Sequence, residues 1–171
     1  MHKLVKQVGV VTLMVTGLCV GQPGIQVAHS QGDIKIEQVT MGERDDEGVI
    51  QAVLSQSIKL DELGLFPSVI MAQALYESGY GRSLFATELN NIFGLKDELG
   101  FAHYNTQGEG VGAYLDLLTN RHYSQYKLGE QLTVDEQIDA LVQAGWSPLG
   151  KEYGVKLTNI IEHYDLTQYD K

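Results

Sequence analysis

The run "PSVIMAQALYESGYG" at residues 67–81 constrains the fold more than any other stretch of the chain. Pro67 suits the first turn of a helix, where its missing N–H is not needed. Val69, Ile70, Met71, Ala72, Ala74 and Leu75 make that helix apolar nearly all round, so it must be buried among other elements. It is predicted to run to Ser78 and stop at Gly79. In its last turn stands Glu77, where the partial negative charge of a helix C-terminus would favour Lys or Arg. Desolvation and the helix dipole both disfavour an anion there, so the carboxyl is expected to hold its proton. A carboxylic acid kept protonated near neutral pH is what a general acid for glycoside cleavage requires. The alternative is that Glu77 reaches solvent and the glycines only cap a helix. Gly79 and Gly81 permit a sharp turn beside the carboxyl, and Tyr80 between them offers an aromatic face for a sugar ring.

The periodicity elsewhere is also helical. Asp45, Asp46 and Glu47 load a first turn with acid, and Val49, Ile50, Val53, Leu54 and Ile58 recur at helical spacing. Residues 83–89 suggest a short helix or turn, and "NNIFGLKDELG" is too irregular for a regular element. Thr106-x-x-Glu109 and Thr133-x-x-Glu136 read as capping boxes. The first precedes Val111, Tyr114, Leu115 and Leu118; the second precedes Ile138, Leu141 and Val142 in a helix expected to end at Gly145. A last amphipathic helix carries Tyr153, Leu157, Ile160, Ile161 and Tyr164. No alternating run reaches strand length after residue 45. A mostly α single domain over residues 46–171 is expected.

The chain before it has a different character. Residues 1–7 hold Lys3 and Lys6 and no acid, residues 8–20 are uncharged and apolar, and Ala28-His29-Ser30 offers small residues for cleavage. Residues 1–30 therefore read as a secretory signal peptide and residues 31–45 as a polar linker. The alternative is an uncleaved anchor, and membrane contact is expected only in that case. Gln22, Pro23 and Gly24 break the apolar stretch short of the roughly 18 residues a span needs. The only Cys, Cys19, falls in this leader, so the domain must be held by its core without disulfides. The net charge of −10 leaves no basic patch for phosphates and argues against a nucleic-acid partner. His103, His122 and His163 are too scattered for a metal site, and no cofactor is expected.

The full string "PSVIMAQALYESGYGRSLFATELNNIFGLK" at residues 67–96 closely resembles the signature of bacterial endo-β-N-acetylglucosaminidases of glycoside hydrolase family 73, the flagellar-rod and autolysin type. Pro67, Ser68, Ala72, Gln73, Ala74, Glu77, Ser78, Gly79, Gly81, Ser83, Asn90, Asn91, Phe93, Gly94 and Lys96 fit its pattern. Glu-Ser-Gly alone is shared with goose-type lysozymes and lytic transglycosylases; the whole string is far more specific. "AGWSPLGKEYGVKLTNIIEHYDL" resembles the family's closing segment, with Tyr153, Lys156 and Leu157 matching and Trp146 where Tyr is usual. The resemblance spans about residues 48–166. It implies a lysozyme-like fold and a secreted, cell-wall-associated peptidoglycan hydrolase with Glu77 as general acid. Its partner would be the glycan strand, its bond the β-1,4 link between N-acetylglucosamine and N-acetylmuramic acid, and its state a monomer.

Many members insert a β-hairpin that carries a second carboxylate. Here only "DELGFAHYNTQ" separates Lys96 from the first capping box, so the hairpin is expected to be reduced or absent. Glu98 is the preferred second acid, with Asp97 close behind. Glu109, the third candidate near the groove, is better explained as the reciprocal cap of Thr106. Asn90 and Asn91 could be plain turn formers; by the resemblance they shape the floor of the substrate groove, and Phe93 beneath them is core more than ligand contact. Tyr153 lies on an apolar stripe, which suits core packing; the resemblance would instead make it a catalytic residue of the cleft. Trp146, after a helix-ending glycine, is a candidate for sugar stacking. A lytic transglycosylase or muramidase is the nearest rival, and N-N-I-F-G-L-K argues against it. A wall-binding module without hydrolysis is supported only by the shortened hairpin.

Overall fold

The computed structural model describes residues 42–120 and 123–170, together with a two-residue antiparallel ladder of β1 (Val27–Ala28) and β2 (Lys35–Ile36). Apart from that ladder and residues 42–45, the expected signal peptide and linker lie outside the described residues. The domain is mostly α: α1 (Asp46–Leu54), α2 (Ser57–Leu63), α3 (Pro67–Glu77), α4 (Leu84–Leu89), α5 (Gln107–Leu118), α6 (Val134–Gln143) and α7 (Lys151–His163). A final 3₁₀ turn covers Leu166–Tyr169.

Helix α3 is the centre of the packing. Every residue from Ser68 to Leu75 is buried, and α1, α6, α7 and the final 3₁₀ turn pack around it. Phe66 offers no side-chain cap, so the free amides at the helix start find acceptors elsewhere in the fold. Phe66 N donates to Gln137 Oε1 at 3.0 Å, and Ser68 N and Oγ donate to the Asp170 carboxylate at 2.9 and 2.7 Å. The end of the chain thus caps the helix that organises its core.

Asp45 caps α1 by accepting from Gly48 N. The apolar stripe expected to continue to Ile58 does not. Ser55 Oγ bonds back to Ala52 O at 2.6 Å, the helix ends, and α2 restarts in a new phase with Ile58 75% exposed. On α6 the capping box is complete. On α5 it is not: Thr106 Oγ1 accepts from Glu109 N, but Glu109 Oε2 reaches Asn105 N at 3.1 Å, one residue before the expected Thr106 amide.

The hairpin is reduced rather than absent. β3 (Lys96–Asp97) pairs with β4 (Gly100–Phe101), with Glu98 and Leu99 at the tip. Two features hold so short an arm. Asp97 Oδ1 accepts from Leu99 N at 2.8 Å to form the turn, and the Phe101 ring stacks on Phe85 at 3.9 Å. The fold is lysozyme-like with its β region cut to this minimum.

Candidate active site

Glu77 is the last residue of α3, and the chain leaves the helix through consecutive left-handed residues. Gly79, Tyr80 and Gly81 have φ of 59°, 62° and 78°. Tyr80 N closes the helix end on Leu75 O at 2.7 Å. At Gly81 a β-carbon would lie 3.1 Å from Asp45 backbone oxygen, so glycine answers both the conformation and the close approach.

Two elements from the C-terminal half converge on the carboxyl. Gly145, with φ of 71°, ends the α6 segment and turns Trp146 inward, where Nε1 donates to Glu77 Oε1 at 3.1 Å. From α7, Tyr153 OH donates to the same oxygen at 2.8 Å. Tyr153 OH itself accepts from Gln73 Nε2 at 3.2 Å, and Gln73 Oε1 accepts from Tyr114 OH at 2.7 Å. Tyr114, Trp146 and Tyr153 are fully buried.

Among the described residues no donor meets Glu77 Oε2. None of their buried side-chain polar atoms lacks a partner, so this oxygen faces solvent. Burial pushes the Glu77 carboxyl above the usual carboxyl range, and the bonds from Tyr153 and Trp146 pull it only partly back. Burial also raises the hydroxyls of Tyr114 and Tyr153 well above the ordinary phenol value, so both remain neutral donors. The result is a half-buried acid with one oxygen bound twice and the other open. It can deliver a proton outward.

The other expected residues are distributed differently. Tyr153 has its ring in the core, as its apolar stripe suggested, and its hydroxyl on Glu77. Trp146, the expected sugar-stacking residue, is instead 1% exposed, its ring set edge-on to Tyr114 at 5.0 Å and its N–H on Glu77, which leaves no open ring face for a sugar. Phe93 lies in the core, 4% exposed and stacked on Tyr114 at 3.8 Å, which removes it from the substrate contacts. One face of Tyr80 is taken by the Arg44 guanidinium, 4.4 Å from its centroid, and Tyr164 stacks on it at 6.3 Å. Asn90 ends α4 at φ 52° and donates to Tyr104 O and Asn105 O. Asn91 is buried and bonds to Leu95 N, Leu95 O and Ala102 O. Both amides are spent on the backbone that leads into and out of the hairpin. Asp97, Glu98 and Glu109 are exposed, and none bonds to Glu77.

The sequence placed Gln73 in the signature string and Tyr114 on an apolar stripe, but assigned neither to the site. The available signal was a Gln one turn before Glu77, alone among apolar neighbours, since positions four apart share a helix face. Nor was the clasp beside Tyr80 foreseen, in which Arg44 pairs with Asp46 at 2.6 Å and Tyr164 OH bonds to both. Among the described residues, no three His, Cys, Asp or Glu gather in a way that could hold a metal ion.

Residues 57–166 match the family described as Glucosaminidase: Mannosyl-glycoprotein endo-beta-N-acetylglucosaminidase. The exo-glucosaminidase LytG of Bacillus subtilis is 29% identical over 67% of this chain and 49% of its own length. An N-acetylmuramoyl-L-alanine amidase domain-containing protein of Staphylococcus aureus is 31% identical over 62% of this chain and 22% of its own. The chain therefore spans about half the length of one relative and about a fifth of the other. The same fold occurs in the catalytic domain of the autolysin Auto of Listeria monocytogenes, with TM-score 0.63 and 24% identity over 77% of this chain and 91% of that one. It occurs again in the glycoside hydrolase domain of FlgJ from Salmonella typhimurium, with TM-score 0.59 and 23% identity over 72% and 91%.

Proposed function

The chain belongs to the glucosaminidase family of glycoside hydrolases, and on that premise we propose that it is a secreted, cell-wall-associated peptidoglycan hydrolase. It cuts the β-1,4 bond on the reducing side of N-acetylglucosamine, between that sugar and N-acetylmuramic acid, and acts as a monomer. The observation that carries this reading is the placement of Glu77: a carboxyl whose pKa burial raises, doubly bonded at Oε1 and open at Oε2.

Glu77 gives the proton on Oε2 to the glycosidic oxygen as the C1–O bond breaks, and the bonding pair leaves with that oxygen. The carboxylate formed is stabilised at once by Trp146 N–H and Tyr153 O–H, which are already in place. Water attacks C1 and yields the reducing sugar, and its proton passes to a base and restores Glu77 to its acid form. That base is a second carboxylate, or the substrate's 2-acetamido group directs the attack. Glu98 is the better carboxylate, because Asp97 Oδ1 is engaged by Leu99 N whereas Glu98 forms no side-chain bond among the described residues. Glu98→Gln should then lower turnover with little change in melting temperature, while Glu109→Gln stays near wild type in both. A dead Glu109→Gln beside an active Glu98→Gln reverses the assignment.

Mass spectrometry of borohydride-reduced muropeptides fixes the bond. The expected product ends in the alditol of N-acetylglucosamine. Alditols of N-acetylmuramic acid indicate a muramidase, and 1,6-anhydro ends that resist reduction indicate a transglycosylase; either overturns the bond assignment. Wall binding without any release by folded protein would instead favour the non-catalytic module.

A further inference from the structure

The polar chain behind Glu77 runs through the core, and its chemistry permits only one direction. Tyr114 OH is fully buried, and among the described residues its only hydrogen-bond partner is Gln73 Oε1 at 2.7 Å. A phenol has one proton, and reversing the chain would leave this one buried with no acceptor. The Tyr114 proton, donated to Gln73 Oε1, therefore fixes which end of the Gln73 amide faces which tyrosine. Gln73 Nε2 must point at Tyr153 and donate to its oxygen at 3.2 Å. Tyr153, supplied with a donor, has its own single proton free for only one partner, Glu77 Oε1 at 2.8 Å. The other end of the chain imposes the same order. Trp146 Nε1 can only donate, so Oε1 must present lone pairs and not a proton to it at 3.1 Å.

We propose that Gln73 and Tyr114 are positioning residues that act through Tyr153 to hold the acidic proton of Glu77 on Oε2. They touch no substrate. Their work is to keep Oε1 occupied by two donors, so that the neutral carboxyl has one place for its hydrogen, the oxygen that faces solvent. Packing protects the arrangement: Phe93 stacks on Tyr114 at 3.8 Å, and Trp146 meets Tyr114 edge-on at 5.0 Å. The inference rests on the reading of Glu77 as general acid for its consequence, but its geometry can be tested without substrate.

Infrared difference spectra of the purified protein across the Glu77 titration isolate the carboxyl C=O stretch, identified by its loss in Glu77→Gln. In wild type the stretch should be low, as expected of a C=O oxygen accepting two bonds. Tyr153→Phe removes one bond and marks the top of the scale. Tyr114→Phe frees the Gln73 amide to turn, so its band should lie between the two. The alkaline limb of the rate profile should move upward with it, because a lost donor to the anion raises the Glu77 pKa. A folded Tyr114→Phe with the wild-type band and limb overturns the proposal, even if it is less stable. Should that variant not fold, NMR of wild type reads the direction itself. Contacts from the Gln73 side-chain NH₂ to the Tyr153 ring are expected, and contacts to the Tyr114 ring instead overturn it. Absent wall hydrolysis beside a low, doubly bonded band would sink the functional reading and leave the relay standing.

Discussion

The two ends of α3 each hold a carboxyl group, in opposite electrostatic surroundings. At the N-terminus Asp170 accepts from Ser68 N and Ser68 Oγ and so occupies free donors of the first turn. At the C-terminus Glu77 sits against the negative pole, and burial raises its pKa despite two donors. The first arrangement strengthens the fold. The second weakens it and creates an acid. One helix thus separates a capping carboxylate from the proposed acid by its own length, and the difference lies in the burial and the partners each end provides.

Replacing the reactive end should give the largest effect. Glu77→Gln keeps both acceptor bonds but cannot deliver a proton, so wall hydrolysis should fall by about 10²–10⁴-fold. The same variant tests whether that end is strained. A raised folded pKa means wild type is fully stabilised below the unfolded carboxyl pKa and loses stability as pH rises through the folded one. Glu77→Gln should therefore melt with wild type in acid and above it at higher pH, by roughly 4 °C for each kcal/mol relieved. A variant that melts lower at every pH would remove the contrast between the two ends.

Tyr153→Phe comes next. Losing one hydrogen bond to the developing carboxylate should cost roughly 10–100-fold in turnover and shift the alkaline limb of activity upward. An unchanged limb would mean that the hydroxyl serves packing alone.

The stabilising end should respond in the opposite currency. Asp170→Ala leaves the buried Ser68 N–H and hydroxyl without their acceptor and should cost about 1–3 kcal/mol in denaturant unfolding. Turnover per folded molecule should hold. A large loss of turnover at full stability would show that the two ends are coupled.

Smallest is the clasp over the turn after Glu77. Desolvation acts to raise Asp46, but hydrogen bonds from Arg44 and Tyr164 outweigh it and hold the carboxyl below its usual range. That contribution is present above the ordinary carboxyl pKa and fades as pH falls through the lowered value. Because the Arg44 side chain is 49% exposed and that of Asp46 25%, solvent screens the pair, and Arg44→Ala should cost under about 1 kcal/mol, and less in high salt. A cost of several kcal/mol would make residues 42–46 part of the core.

What the sequence determined by itself is local. The apolar run, Pro67 and the paired glycines set α3 and placed an acid at its negative pole, and periods of three and four set most other helices. Those signals need only residues within a few turns of one another. What tertiary structure decided depends on long separations: Trp146 and Tyr153 reach Glu77 across 69 and 76 positions, Tyr114 reaches Gln73 across 41, and Asp170 reaches Ser68 across 102. Composition could mark Trp146 as an aromatic but not turn its ring inward, and it could not tell a buried amide that aims a tyrosine from one that fills space. Side-chain direction in a core is set by whatever partner satisfies its polar atoms, and that partner is chosen only when distant helices meet.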